Sequence, residues 1–189
     1  MHTTTKLLGG MIIGVAAVAV AGTAYAAPPS ENVHYEWSES GTFEECGLSL
    51  EGVSSGSGHL LVREVRGSDG QAYLGLDNYT FRDVITNTEN GEWLVIRGRG
   101  TAKEMTAVHV EGDIWEFTTQ ETGQPLVIED SSGTVVLRDR GRQTFRVLFD
   151  TLGDGASGGV TLEEELTGVS GMFPSFDTSF CEVVTDLIG

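Results

Sequence analysis

The sequence predicts an all-β domain: an antiparallel meander closing into a barrel, with a β-sandwich as the alternative and a short C-terminal helix. Three observations carry this. From about residue 35 to 166 the chain alternates short β-branched, aromatic and aliphatic runs with clusters of Gly, Asn, Asp and Ser, the pattern of strands and tight turns. The turn chemistry is specific: Asn90-Gly91 and Gly112-Asp113 suit two-residue hairpins, and Asp130-Ser131-Ser132-Gly133 suits a short loop with positive φ at the glycine. No long amphipathic helix interrupts the series, which excludes alternating βαβ architecture.

Residues 1–26 read as an export signal. Lys6 supplies a weakly basic start, residues 7–21 run LLGGMIIGVAAVAVA without a charge, and Ala24-Tyr25-Ala26 supplies a small-x-small cleavage pattern. An uncleaved anchor is the competing reading, since residues 7–26 are long enough to span. The glycines within the run and the absence of a basic stop-transfer cluster favour cleavage after Ala26. Residues 27–189 then form one secreted, extracellular or cell-surface domain, frayed at residues 27–31, with no membrane attachment. The linker-like GDGASGG at 153–159 reads as a loop within it.

Cys46 and Cys181 are the only cysteines, and behind an export signal they read as one disulfide. There is no CxxC and no histidine within four residues of either, so a redox or metal pair is disfavoured.

Strands are expected over residues 43–50, 59–66, 78–87, 92–99, 103–111, 114–121, 125–129, 134–139, 144–149 and 160–166. The helix follows from Phe180, Val183, Val184 and Leu187 at i, i+3, i+4 and i+7, with Asp177 or Ser179 as cap and Gly189 as stop.

Side-chain alternation across Asn90-Gly91 gathers Tyr79, Phe81, Asp83, Ile85, Leu94 and Ile96 on one face. It gathers Arg82, Val84, Thr86, Trp93, Val95, Arg97 and Arg99 on the other, and this holds for a loop of two or four residues. The first face is the core and the second is wet. Across Gly112-Asp113 the same counting places Val108, Val110, Trp115 and Phe117 together in the core and sets His109 opposite Glu116.

Asp83 is the carboxylate that this pattern singles out. On an apolar face it is either paired or raised in pKa. Pairing with a nearby arginine is the structural expectation, and a ligand or proton-transfer group inside a cavity is the functional one. Arg138, Arg140 and Arg142, alternating around Asp139 and Gly141, form with Arg97 and Arg99 a possible site for an acidic ligand. Their structural expectation is pairing with the acidic surplus.

Other chemistry is disfavoured. The Gly52–Gly56 and Gly155–Gly159 stretches match G-x-S-x-G but lack the strand–turn–helix context of a nucleophile elbow. His34, His59 and His109 are scattered, so no metal site and no cofactor is expected. Asp150 and Asp154 lack calcium-loop spacing and read as turn residues. Glu163-Glu164-Glu165 alternates across a strand and reads as a solvated edge. Against 11 Lys and Arg stand 28 Asp and Glu, a net charge of −17, which argues against general nucleic-acid binding and anionic-lipid docking.

Asp77-Asn78-Tyr79, Gly123-Gln124-Pro125, residues 136–141 (VVLRDR's last five and Gly141), residues 148–154 (LFDTLGD) and Phe180-Cys181 together resemble small secreted proteins of high-GC Gram-positive bacteria. Those proteins have no assigned activity, so the resemblance implies an extracellular address and transfers no catalytic residue. The leading expectation is a non-enzymatic domain binding a small molecule or an extracellular macromolecule. A carboxylate-dependent barrel isomerase or hydrolase using Asp83 or Glu116, and a structural surface protein without a pocket, are the alternatives. An apolar cavity favours the first, a polar cavity with Asp83 and arginines the second, and a filled core the third.

Overall fold

A computed structural model describes residues 31–189; the expected signal segment and residues 27–30 lie outside the described residues. Eight strands follow in chain order: β1 (Glu31–Glu45), β2 (Leu48–Glu64), β3 (Tyr73–Asn87), β4 (Trp93–Glu111), β5 (Ile114–Glu129), β6 (Val135–Arg138), β7 (Arg140–Asp150) and β8 (Val160–Met172). A 3-10 turn (Pro174–Phe176) and one helix, α1 (Phe180–Ile188), complete the chain. All pairings are antiparallel, in the order β1-β2-β3-β4-β5-β7-β8, with β6 also on β5. Among the described residues no helix is long and apolar enough to cross a membrane.

The expected meander is present, but the sheet does not close. Among the described residues β1 pairs only with β2 and β8 only with β7, and the single sheet forms no sandwich. Both outer strands are almost wholly exposed, and β8 carries Glu163, Glu164 and Glu165. The face toward which the sheet curls carries Glu39, Asp77, Asp83, Glu104 and Glu121, and no strand Lys or Arg shares it. Closure would remove these acids from water without cationic partners, a cost that an open edge avoids.

The strands are fewer and longer than the turn signals suggest. Residues 92–99 and 103–111 join into β4, and 114–121 and 125–129 join into β5. The expected strand 43–50 is instead split by a turn at Cys46 and Gly47, with φ of 55° and 75°. The loop at Asn90-Gly91 is longer than two residues: the Asn87 N–H donates to the Glu92 carbonyl, leaving four residues between. The parity expected across it therefore holds, with Arg82 opposite Arg97 and Asp83 opposite Ile96.

Parity fails further along. Register shifts between Glu104 and Thr106 and between His109 and Glu111 each insert one extra residue into β4. A bulge moves every later side chain to the opposite face. Val108 therefore pairs with Glu116 on the outer face, and Val108 and Val110 are exposed rather than core. His109 pairs with Trp115, so the expected His109–Glu116 pair does not form. Trp115 and Phe117 are buried as expected.

One end of the inner face is plugged by α1. Val184 and Ile188 pack onto Leu50, Ile85, Leu94, Ile96, Ile128 and Leu137, drawn from five strands. Ser179 caps the helix, its hydroxyl accepting from the Glu182 N–H. At the other end the Asn87 and Asn90 side-chain amides donate to the Ile188 carbonyl. The Cys46–Cys181 disulfide joins the β1–β2 turn to the first turn of α1 across 135 residues.

Between plug and open end, large rings lie across glycines of the neighbouring strand. A Cβ at Gly58 would strike the Tyr35 ring, at Gly56 the Trp37 ring, and at Gly98 the Phe81 ring. These glycines let aromatic side chains lie flat on a strongly curved sheet. That gives Gly52-Val53-Ser54-Ser55-Gly56 a structural role: it runs mid-strand in β2, with no elbow.

Candidate functional site

The open end of the inner face holds a pocket of about 300 Å³. β2 contributes Leu60 and Val62, β5 contributes Phe117, and β7 contributes Phe149. Three strands separate β2 from β7 in the sheet, so their meeting at one cavity records the curl of the inner face. Phe117 and Phe149 meet edge to face with ring centroids 5.8 Å apart. The β7–β8 loop closes one side with residues 156–158. That loop is held by the Tyr73 hydroxyl, which donates to the Gly155 carbonyl at 2.9 Å. Asp150 and Asp154 shape it by accepting from the Leu152 and Ala156 N–H groups, the turn role expected for them.

Two carboxylates stand among these apolar walls. Asp77 accepts from the Tyr35 hydroxyl at 2.6 Å through Oδ2, while its buried Oδ1 has no hydrogen-bond partner. Glu104 accepts from the Gly75 N–H, and burial pushes its pKa up against that bond. Behind them the Tyr79 hydroxyl donates to Glu121. Burial first, then these carboxylates, holds Tyr35 and Tyr79 far above the ordinary tyrosine range. Both are fixed neutral donors at physiological pH.

Asp83 lies on the inner face between the α1 plug and the pocket, and does not line the pocket. Its Oδ1 is buried without a partner. Burial raises its pKa and Glu39 raises it further, while Ser54, directly across on β2, pulls it down without a well-formed hydrogen bond. The expected arginine partner does not form, because Arg82 and Arg97 point to the opposite face. Alternation, which gathers the apolar residues inside, sends the arginines out.

Arg138 and Arg140 flank Asp139 and lie on the outer face with Arg82, Arg97, Arg99 and Arg142. They are therefore remote in facing from Asp83. Asp139 is buried and accepts from the backbone N–H and the hydroxyl of Ser175, anchoring the 3-10 turn. Within the arginine group, Arg97 pairs with Glu129 at 2.5 Å. Among the described residues the others form no salt bridge within 4.0 Å, although Arg138 and Arg82 join Arg97 in holding the Glu129 pKa down. Val127, between Arg97 and Arg138 in register, is fully buried although it faces outward, as long arginine stems permit. Glu116 instead engages Arg146, which also lies near Glu163 and Glu165.

Glu45 lies beside Cys46 and Cys181, but both sulfurs are committed to the disulfide, so this group is no metal site. The pocket itself was not legible as a set of residues. The spacing of Gly52, Gly56 and Gly58 and of Gly98 and Gly100, all on one face and opposite large aromatics, signals the curl of the sheet beside it but none of its lining.

No family model matches this chain, and no curated protein or solved structure matches it either.

Proposed function

We propose that this protein is a secreted, non-enzymatic β-domain that holds a small, largely apolar molecule in the pocket at the open end of its sheet. The observation that carries the reading is the pocket: aliphatic and aromatic walls with a few polar groups are the usual make-up of a small-molecule site. Its volume lies at the small end of such sites, so the ligand is compact. The export-type leader and the disulfide support an extracellular setting. The resemblance to small secreted proteins of high-GC Gram-positive bacteria agrees with that address.

Titration with Nile red, an uncharged apolar dye, tests the reading. Fluorescence should rise on binding, and Ala102→Phe, which fills the pocket from β4, should abolish the rise without altering the circular dichroism. Equal binding by this variant would exclude the pocket as the site.

A second reading rests on the outer face. Among the described residues Arg82, Arg99, Arg138, Arg140 and Arg142 form no salt bridge within 4.0 Å, in a chain rich in acid. Guanidinium groups so arranged suit an extracellular macromolecule bearing carboxylates. Retention on an immobilised polyuronate, lost in Arg138→Ala/Arg140→Ala, is the expected result; unchanged retention excludes it.

A further inference from the structure

We infer that the pocket selects an organic cation: a protonated or quaternary amine carried on a compact apolar body, its charge met by Asp77 and Glu104. This rests on the pocket reading above and adds the ligand's charge.

The first support is charge segregation. Along the paired strands every Lys and Arg alternates to the outer face, while Glu39, Asp77, Asp83, Glu104 and Glu121 share the inner one. Lys103 borders the pocket, but its register with Leu76 and Gln120 belongs to the outer face. The cavity thus meets a ligand with carboxylates that have no cationic partner, in a low-dielectric setting that strengthens their attraction for a cation.

The second support is an uncompensated charge in the pocket wall. Asp77 gives one oxygen to Tyr35 and has no donor for the other. That oxygen is enclosed in the wall, so its uncompensated charge acts on the cavity through space, where an ammonium or quaternary amine lowers its cost. Glu104 stands in the same lining with a single backbone donor.

The third support is aromatic. Tyr73, Phe117 and Phe149 line the same cavity. Aromatic rings beside carboxylates make a setting that favours cations over neutral molecules of equal shape. A ligand anion, by contrast, would face two carboxylates, with the outward-directed Lys103 as the one cationic residue of the lining.

The test compares three probes of one shape in displacing Nile red from the oxidised, exported protein: phenethylammonium, 2-phenylethanol and phenylacetate. Ethylammonium, which lacks the ring, controls for general attraction to an acidic surface. Phenethylammonium should bind about tenfold or more tightly than the alcohol, and phenylacetate and ethylammonium should fail to displace the dye. Asp77→Asn should erase most of the ammonium advantage while leaving the affinity of the alcohol unchanged. If the alcohol or the acid binds as well as the ammonium, the cation inference fails and the pocket reading survives. If Nile red itself does not bind, both fail. The wild-type charge series decides the matter even where a variant does not fold.

Discussion

Reducing the Cys46–Cys181 bond separates what holds the unfolded chain from what holds the native one. The bridge closes a loop of 135 residues that contains most of the sheet. In the chain-entropy treatment a loop of that length withholds about 5 kcal/mol from the unfolded state. In the folded state the helix has its own anchors. Val184 and Ile188 are about 1% exposed, each worth about 1.5–3 kcal/mol of burial, and two asparagine amides hold the Ile188 carbonyl. Reduction should therefore lower the unfolding free energy by about 3–5 kcal/mol while leaving α1 seated. The assay is urea unfolding followed by tryptophan fluorescence, with and without a phosphine reductant. The urea slope should steepen on reduction, because an uncrosslinked chain exposes more surface when unfolded. Amide exchange in α1 under native conditions should stay slow. A change below about 1 kcal/mol would refute the loop-entropy reasoning. Loss of helix protection on reduction would show that the bridge, rather than the apolar contact, seats the helix.

Further outcomes follow from facing and space. Ile96→Ala should cost about 2–5 kcal/mol in chemical denaturation, Arg97→Ala about 1 kcal/mol or less, and Val108→Ala a similarly small amount; a costly Val108→Ala would contradict the β4 bulges. Gly98→Ala should cost about 1–3 kcal/mol or more, since its Cβ meets both the Phe81 ring and the Pro125 carbonyl; a neutral effect would mean that the ring lies elsewhere. Asp83→Asn reports on a carboxyl whose folded pKa is raised by burial. Such a group is most favourable to the fold while protonated, so its contribution falls as pH climbs from the ordinary aspartate value through the raised one. The variant should match the wild type near pH 3 and exceed it at pH 7 in urea unfolding; a variant weaker at pH 7 would reveal a cationic partner.

Local signals carried far along the chain where they were strong. The i, i+3, i+4, i+7 pattern at Phe180–Leu187 became α1 with Ser179 as its cap, and two cysteines became one bridge. Parity across Asn90-Gly91 held because the loop keeps an even number of residues between its paired ends. It failed at Val108 because Met105 and Val110 sit at extra-residue positions of β4 that no turn former marks. β1 was largely missed: its glutamates and serines look like loop, and only pairing with β2 makes it strand. The turn at Cys46 was missed because cysteine rarely adopts positive φ. The pocket needs the curl of a whole sheet, which no window of sequence contains. Asp83 was legible as an oddity, yet its arginines were on the wrong side of the strand to satisfy it.

The seat of α1 also orders assembly in time. Its docking surface is shared among β2, β3, β4, β5 and β6, so it does not exist until those hairpins have zipped together. Docking of α1 then holds Cys46 and Cys181 side by side without the entropic cost of closing a 135-residue loop in a loose chain, and with no third cysteine in the sequence there is no scrambled isomer for an oxidant to trap. Oxidation thus acts as a latch thrown after the sheet is built, and the rate at which free thiol disappears during refolding becomes a clock for completion of the meander.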